Sequence, residues 1–186
     1  MLRFQTRPTA THLPPKRLRL LAGLTGALGL ALATATPAIA DGQSSVPFAA
    51  SLAGEAAWDG GPIANCQSEG IASHLGRTTS QCTAELDLNA YGPYDVCSGE
   101  GENGFGIPNV NTLRLSAANG DLLVLVSDDI ACQIEAFSFR GTGEWIVDSW
   151  ASTGRFAGAT GFGELNGQVD FAAGVVQVSI VGEISY

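Results

Sequence analysis

From Phe48 to the C-terminus the chain runs in short β-rich stretches roughly ten residues apart, with glycine between them and no sustained helical stripe. "TAELDL" sets Thr83, Glu85 and Asp87 against Ala84, Leu86 and Leu88, the alternation of a half-buried strand. In "TLRLSAANGDLLVLVSDD", Asn119-Gly120 predicts a type I′ turn between a strand near 111–117 and one near 121–128. "IEAFSFRGTGEWIVDSW" reads as a strand pair or one long bent strand. "VVQVSIVGEISY" reads as a terminal strand with Val176, Val178, Ile180, Ile184 and Tyr186 on one face. "FAASLAGEAAW" and "EGIASHLG" read as two more. About eight strands with hairpin-length connections must close on themselves or stack as two sheets, because open edges template aggregation. A closed barrel of about eight strands has an interior wide enough for side chains or one small ligand. The exception is Asn89 to Asn111, a long connection carrying Pro93, Pro108 and Cys97. Connections of that length usually serve as lids or stay disordered, and a disulfide at Cys97 would hold this one down.

Residues 1–40 have the layout of a secretory signal peptide. Arg3, Arg7, Lys16, Arg17 and Arg19 precede the uncharged run Leu20 to Ala35, and small residues end at Ala38-Ile39-Ala40. The apolar run is shorter than the roughly 20 residues that span a bilayer, and no stop-transfer charge follows it. Cleavage before Asp41 would leave residues 41–186 as one domain, secreted or periplasmic, with no membrane insertion. Four arginines (Arg77, Arg114, Arg140 and Arg155) then stand against 18 acidic residues, a charge of −14 over 146 residues. Such a surface repels phosphate backbones and anionic lipid, which argues against nucleic acid as a partner.

In an oxidising compartment Cys66, Cys82, Cys97 and Cys132 are expected to form two disulfides, with three pairings open. Zinc is disfavoured: no C-x-x-C pair exists, and His74 is the only histidine after the leader. "GEGENG" (Gly99 to Gly104) matches G-x-G-x-x-G, but "FGIP" follows instead of a helix, and Glu100 and Glu102 would repel a pyrophosphate. Asp95, Glu100, Glu102 and Asn103 are hard oxygen ligands that raise calcium as an option, without the ladder of an EF-hand loop. No G-x-S-x-G elbow is present.

"STGRFAGATGFGELNG" (Ser152 to Gly167) concentrates glycine around one arginine and two phenylalanines. Ser152 and Thr153 can accept the free amides of a short helical turn through Gly154, Arg155 and Phe156, which Gly158 then stops in a left-handed conformation. Gly161 and Gly163 fall on one face of the next strand, where a missing side chain permits a bend or a close backbone approach. Phe156 and Phe162 are expected to plug the ends of the apolar interior. This element, preceded by "EWIVDSW", with "AANGDLL" and "SHLGRTT" upstream and "GEISY" at the terminus, resembles the allene oxide cyclase–dirigent barrel superfamily, in particular its small secreted bacterial members. The resemblance spans roughly Phe48 to Tyr186, with Ser152 standing where the turn usually begins with glycine. It implies an all-β fold, a single closed antiparallel barrel of about eight strands, often trimeric and without a cofactor. Plant members cyclise an unstable fatty-acid epoxide or steer the coupling of phenolic radicals.

Fold does not carry function with it. The sequence supports a barrel that binds a lipophilic or phenolic molecule, a cofactor-free cyclase or isomerase, or a ligand-free surface protein. Residue parity nominates Glu69, His74, Arg114 and Glu135 as polar groups pointing inward near the mouth. The competing roles are a hydrogen-bonded structural histidine at His74 and an ordinary outward arginine at Arg114. Apolar residues on both faces of "LLVLV" predict a covered outer face, with a second subunit as one cover.

Overall fold

The computed structural model describes residues 44–99 and 103–186. The leader (1–40) and the acidic pair Glu100 and Glu102 of the calcium option lie outside the described residues. Nine strands occur among those described: β1 (Val46–Trp58), β2 (Ile63–Ala72), β3 (Gly76–Leu86), β4 (Gly92–Pro93), β5 (Phe105–Ala117), β6 (Leu122–Glu135), β7 (Ser138–Val147), β8 (Thr160–Asp170) and β9 (Val175–Ser185). All pairings are antiparallel. Eight strands run in the order β3-β2-β1-β9-β8-β7-β6-β5, β5 pairs back onto β3, and the two-residue β4 is an annex on β5. The barrel is therefore closed, and helix is limited to single 3-10 turns among the described residues. No helix there is long and apolar enough to cross a membrane, a statement that does not address membrane β-barrels.

Alternation decides what each strand puts inside. On β9, Val176, Val178, Ile180 and Ile184 are buried while the residues between them are not, as the sequence pattern predicts. On β1 the buried set is Phe48, Ala50, Leu52 and Ala56. Strands β5 and β6 are longer than the sequence suggests, taking in Phe105–Asn111 and Asp129–Glu135. Pro108 is accommodated because the ladder loses only its missing N–H; its carbonyl still accepts from Asp87 N–H at 2.9 Å.

Two turns depart from expectation. At the β5–β6 hairpin only Gly120 has positive φ (88°), so the turn is not type I′. Gly120 N–H donates to Ala117 O and Ala117 N–H to Asp121 O, the pattern of a type I turn closed by a left-handed glycine. After β7, Gly154, Arg155 and Phe156 form a 3-10 turn; Gly154 opens it at positive φ (67°) and Gly158 follows it in the left-handed conformation expected (77°). Neither hydroxyl caps this turn. Ser152 Oγ instead accepts from Val124 N–H and donates to Asp148 O, while Asp121 Oδ1 accepts from Arg155 N–H. The 148–153 segment thereby runs alongside β6, bonded to the backbone of Leu122 and Val124. Val124 is fully buried within a single copy of the chain, so its cover does not require a second subunit.

Phe156 is fully buried and stacks at 5.0 Å from Tyr186, plugging one end of the barrel as expected. Phe162 does not share that role. It falls on the outward parity of β8 and is 66% exposed. Its neighbours Gly161 and Gly163 face in, and a Cβ at Gly163 would run into Val181 O and stand 2.8 Å from the Trp145 ring. A Cβ at Gly182, paired with Gly163 across the β8–β9 ladder, would stand 2.6 Å from the same ring. The two glycines make a cradle for Trp145, whose indole N–H donates to Glu164 O and Val181 O at 3.1 Å each.

Candidate functional site

The end of the barrel away from Phe156 is not filled. On six of the strands inward positions there carry small side chains: Ala56 on β1, Ala64 and Cys66 on β2, Cys82 and Ala84 on β3, Ala131 on β6, Gly141 on β7 and Gly167 on β8. They surround an open cavity of about 120 Å³. Trp58, Phe139 and Phe171 also line it, with ring centroids 5.4 to 6.2 Å apart. Trp58 is held by its indole N–H, which donates to Gly61 O at 2.6 Å. On the opposite wall lies the disulfide Cys66–Cys82, joining directly paired residues of β2 and β3. The second disulfide, Cys97–Cys132, ties the long connection to β6. Of the three open pairings this is the one formed, and it restrains the connection as expected.

Among the described residues one ionisable side chain faces the cavity. Asp129 projects inward from β6 and is 9% exposed. Asn109 Nδ2 donates to its Oδ1 at 2.5 Å, and Asn111 Nδ2 reaches its Oδ2 at 3.3 Å. Asn111 Nδ2 also donates to Asn109 Oδ1 at 2.6 Å and lies 3.3 Å from Ser127 Oγ, so the polar groups form one chain along β5 and β6. The paired strand β7 makes room. A Cβ at Gly143 would stand 2.6 Å from Asp129 Cβ, and one at Gly141 3.2 Å from Asp129 Oδ2. Burial raises the Asp129 pKa above its ordinary value of 3.8; the Asn109 hydrogen bond opposes this, the neighbouring Asp128 charge adds to it, and the Asn111 contact opposes it less. The net result is a carboxyl that resists ionisation in an apolar chamber.

The four residues nominated from sequence are not part of this chamber. Glu69, His74, Arg114 and Glu135 are all exposed, and none lines the cavity. Glu69 and Arg114 fall on outward parity, because Ser68 and Gly70, and Leu113 and Leu115, take the inward places. His74 sits in the β2–β3 turn at φ 64°, with Nε2 2.9 Å from Pro47 O and its ring beside Tyr186, which matches the structural role. Glu135 lies at a register shift next to the β6–β7 turn. The sequence reading missed Asp129, Asn109 and Asn111. Carrying the alternation Leu123, Leu125, Ser127 one step further reaches Asp129. The glycines of "RGTGE" across the ladder are the complementary signal.

No metal-binding group of three or more His, Cys, Asp or Glu side chains occurs among the described residues. No protein-family model matches the chain, and neither a curated protein nor a solved structure matches it.

Proposed function

We propose that the protein is an exported barrel that holds one small lipophilic molecule in its unfilled end. The carrying observation is the cavity itself: largely apolar walls, an open mouth and one buried polar cluster, Asp129 with Asn109 and Asn111, the usual composition of a small-molecule site. Its size suits a single ring, since an apolar protein cavity of about 150 Å³ accepts benzene. The leader supports export, and the two disulfides fit an oxidising compartment. The resemblance to the allene oxide cyclase–dirigent superfamily agrees with the eight-stranded barrel, and on this reading supplies fold without assigning a ligand.

Asp129 favours a second reading, a cofactor-free cyclase or isomerase, because a buried carboxyl with raised pKa can act as an acid or base. Native mass spectrometry of protein purified from its own host tests the binding reading. A co-purifying small molecule, displaced when Gly167 is replaced by a larger residue, is the expected result. An empty protein whose melting temperature ignores a panel of single-ring lipophilic and phenolic compounds would overturn it. Conversion of a bound compound by wild-type protein, lost in Asp129→Asn, would favour the enzyme.

A further inference from the structure

We infer that the molecule held in the cavity is an organic cation, an ammonium group carried on about one ring of apolar carbon. The inference rests on the binding reading and adds the chemistry of the ligand's head.

Charge is the first ground. Among the described residues Asp129 is the one ionisable side chain lining the cavity, and no base accompanies it there. All four arginines of the described residues, Arg77, Arg114, Arg140 and Arg155, are exposed, and lysine is absent among those residues. A buried carboxylate without a countercharge is costly, and a ligand that supplies the charge recovers that cost on binding.

Hydrogen-bonding capacity is the second. An ionised carboxylate offers about four acceptor sites. Asn109 and Asn111 direct amide hydrogens at it, one at each oxygen, so acceptor capacity remains. The other polar side chains on the lining, Asn65 and Gln168, are exposed. The chamber therefore receives a donor and offers little to an anionic head.

The rings are the third and independent ground. Trp58, Phe139 and Phe171 stand together on the lining, and Phe139 is two residues along the same face of β7 from Gly141, against which Asp129 packs. Aromatic faces attract ammonium and quaternary ammonium groups, more strongly where water is excluded. A carboxyl and three rings around a ring-sized space together describe a receptor for a hydrophobic amine. The acidic surface would also raise the local concentration of such cations.

The test is calorimetric titration of the full chain, disulfides intact, with benzylamine, phenyltrimethylammonium, benzyl alcohol, phenol, benzoate and toluene. Benzylamine should bind at least about tenfold tighter than benzyl alcohol or toluene, as expected of a desolvated charge pair. Asp129→Asn should abolish that preference while leaving toluene binding in place. Phe171→Leu keeps apolar bulk and removes a ring face, so it should weaken phenyltrimethylammonium by more than it weakens toluene; this variant serves should Asp129→Asn not fold. Equal or tighter binding of phenol, benzyl alcohol or benzoate would overturn the cation while leaving the cavity reading intact. A protein that binds none of the six, toluene included, would overturn both.

Discussion

At the end of the barrel carrying the 148–159 connection, Phe48, Trp145, Phe156, Leu115, Leu123, Ile180 and Ile184 fill the interior to near-zero exposure. At the end carrying the Phe137 turn, the strands contribute Ala56, Ala64, Ala84, Gly141 and Gly167, and leave a chamber. Glycine serves both ends in opposite ways. Gly163 and Gly182 remove Cβ atoms so that Trp145 can lie against the wall, which increases packing. Gly167, two turns of the pleat further along β8, would meet nothing closer than Leu165 Cδ2 at 3.9 Å, so its missing side chain simply leaves space. Close packing is the normal state of a protein interior. An end that forgoes it gives up dispersion and hydrophobic stabilisation, and this one also retains a carboxyl. Close packing is concentrated at the filled end, and the open end is where the proposed ligand would sit.

The sharpest way to break this division is to add the same side chain at both ends. Gly163→Val should destabilise by on the order of 4 kcal/mol or more, or prevent folding, because the added atoms meet backbone as well as the Trp145 ring. Gly167→Val should cost no more than about 1 kcal/mol in denaturant melts and should instead block ligand. Equal costs would mean the ends are not distinct.

Next in size, Trp145→Ala should cost about 3 to 5 kcal/mol, since it empties a fully buried site and orphans two carbonyls. Phe171→Ala, partly exposed on the cavity, should cost about half that or less.

A smaller effect reads the Asp129 proton. The folded state raises this pKa above the unfolded value, so between the two values the folded protein binds more protons than the unfolded chain. Stability must then fall as pH rises through that interval and level off above it. Other carboxylates have their own dependence, so the quantity to measure is wild type minus Asp129→Asn across roughly pH 4 to 8. That difference should decline as pH rises. A rising difference would mean Asp129 is stabilised as the anion, and a flat one that folding leaves its pKa unshifted; either contradicts a carboxyl raised by burial.

The smallest effects belong outside the barrel. Arg155 pairs with Asp121 at 2.9 Å and lies 5.1 Å above the Phe156 ring, but it is 42% exposed, so Arg155→Ala should cost at most about 1 kcal/mol. Replacing Glu69, Arg114 or Glu135 by alanine should leave ligand affinity unchanged, as befits exposed residues away from the cavity.

The filled end was legible in the sequence because its signals are local. Ile180 and Ile184 carry the apolar alternation of β9 into that end, broken only at Gly182, and Gly154 and Gly158 sit where a turn requires positive φ. The open end was hidden by its own chemistry. Asn109, Asn111, Ser127 and Asp129 occupy inward positions, so the apolar alternation that marks a strand lapses where the cavity begins. Polar residues then read as connection, and β5 and β6 appear shorter than they are. The space for Asp129 is set by Gly141 and Gly143 on β7, a relation carried only by strand register. Acids and bases that did stand out, such as Glu69 and Arg114, stood out because they face solvent.

The most direct test of the division is backbone amide chemical-shift mapping during titration with toluene, a probe indifferent to the charge of the ligand's head. The account predicts saturable shifts at Ala84, Asn111, Ala131, Gly141 and Gly167, with Phe48, Trp145 and Ile180 unmoved. Shifts centred on Phe156 and Trp145, or none anywhere, would contradict it.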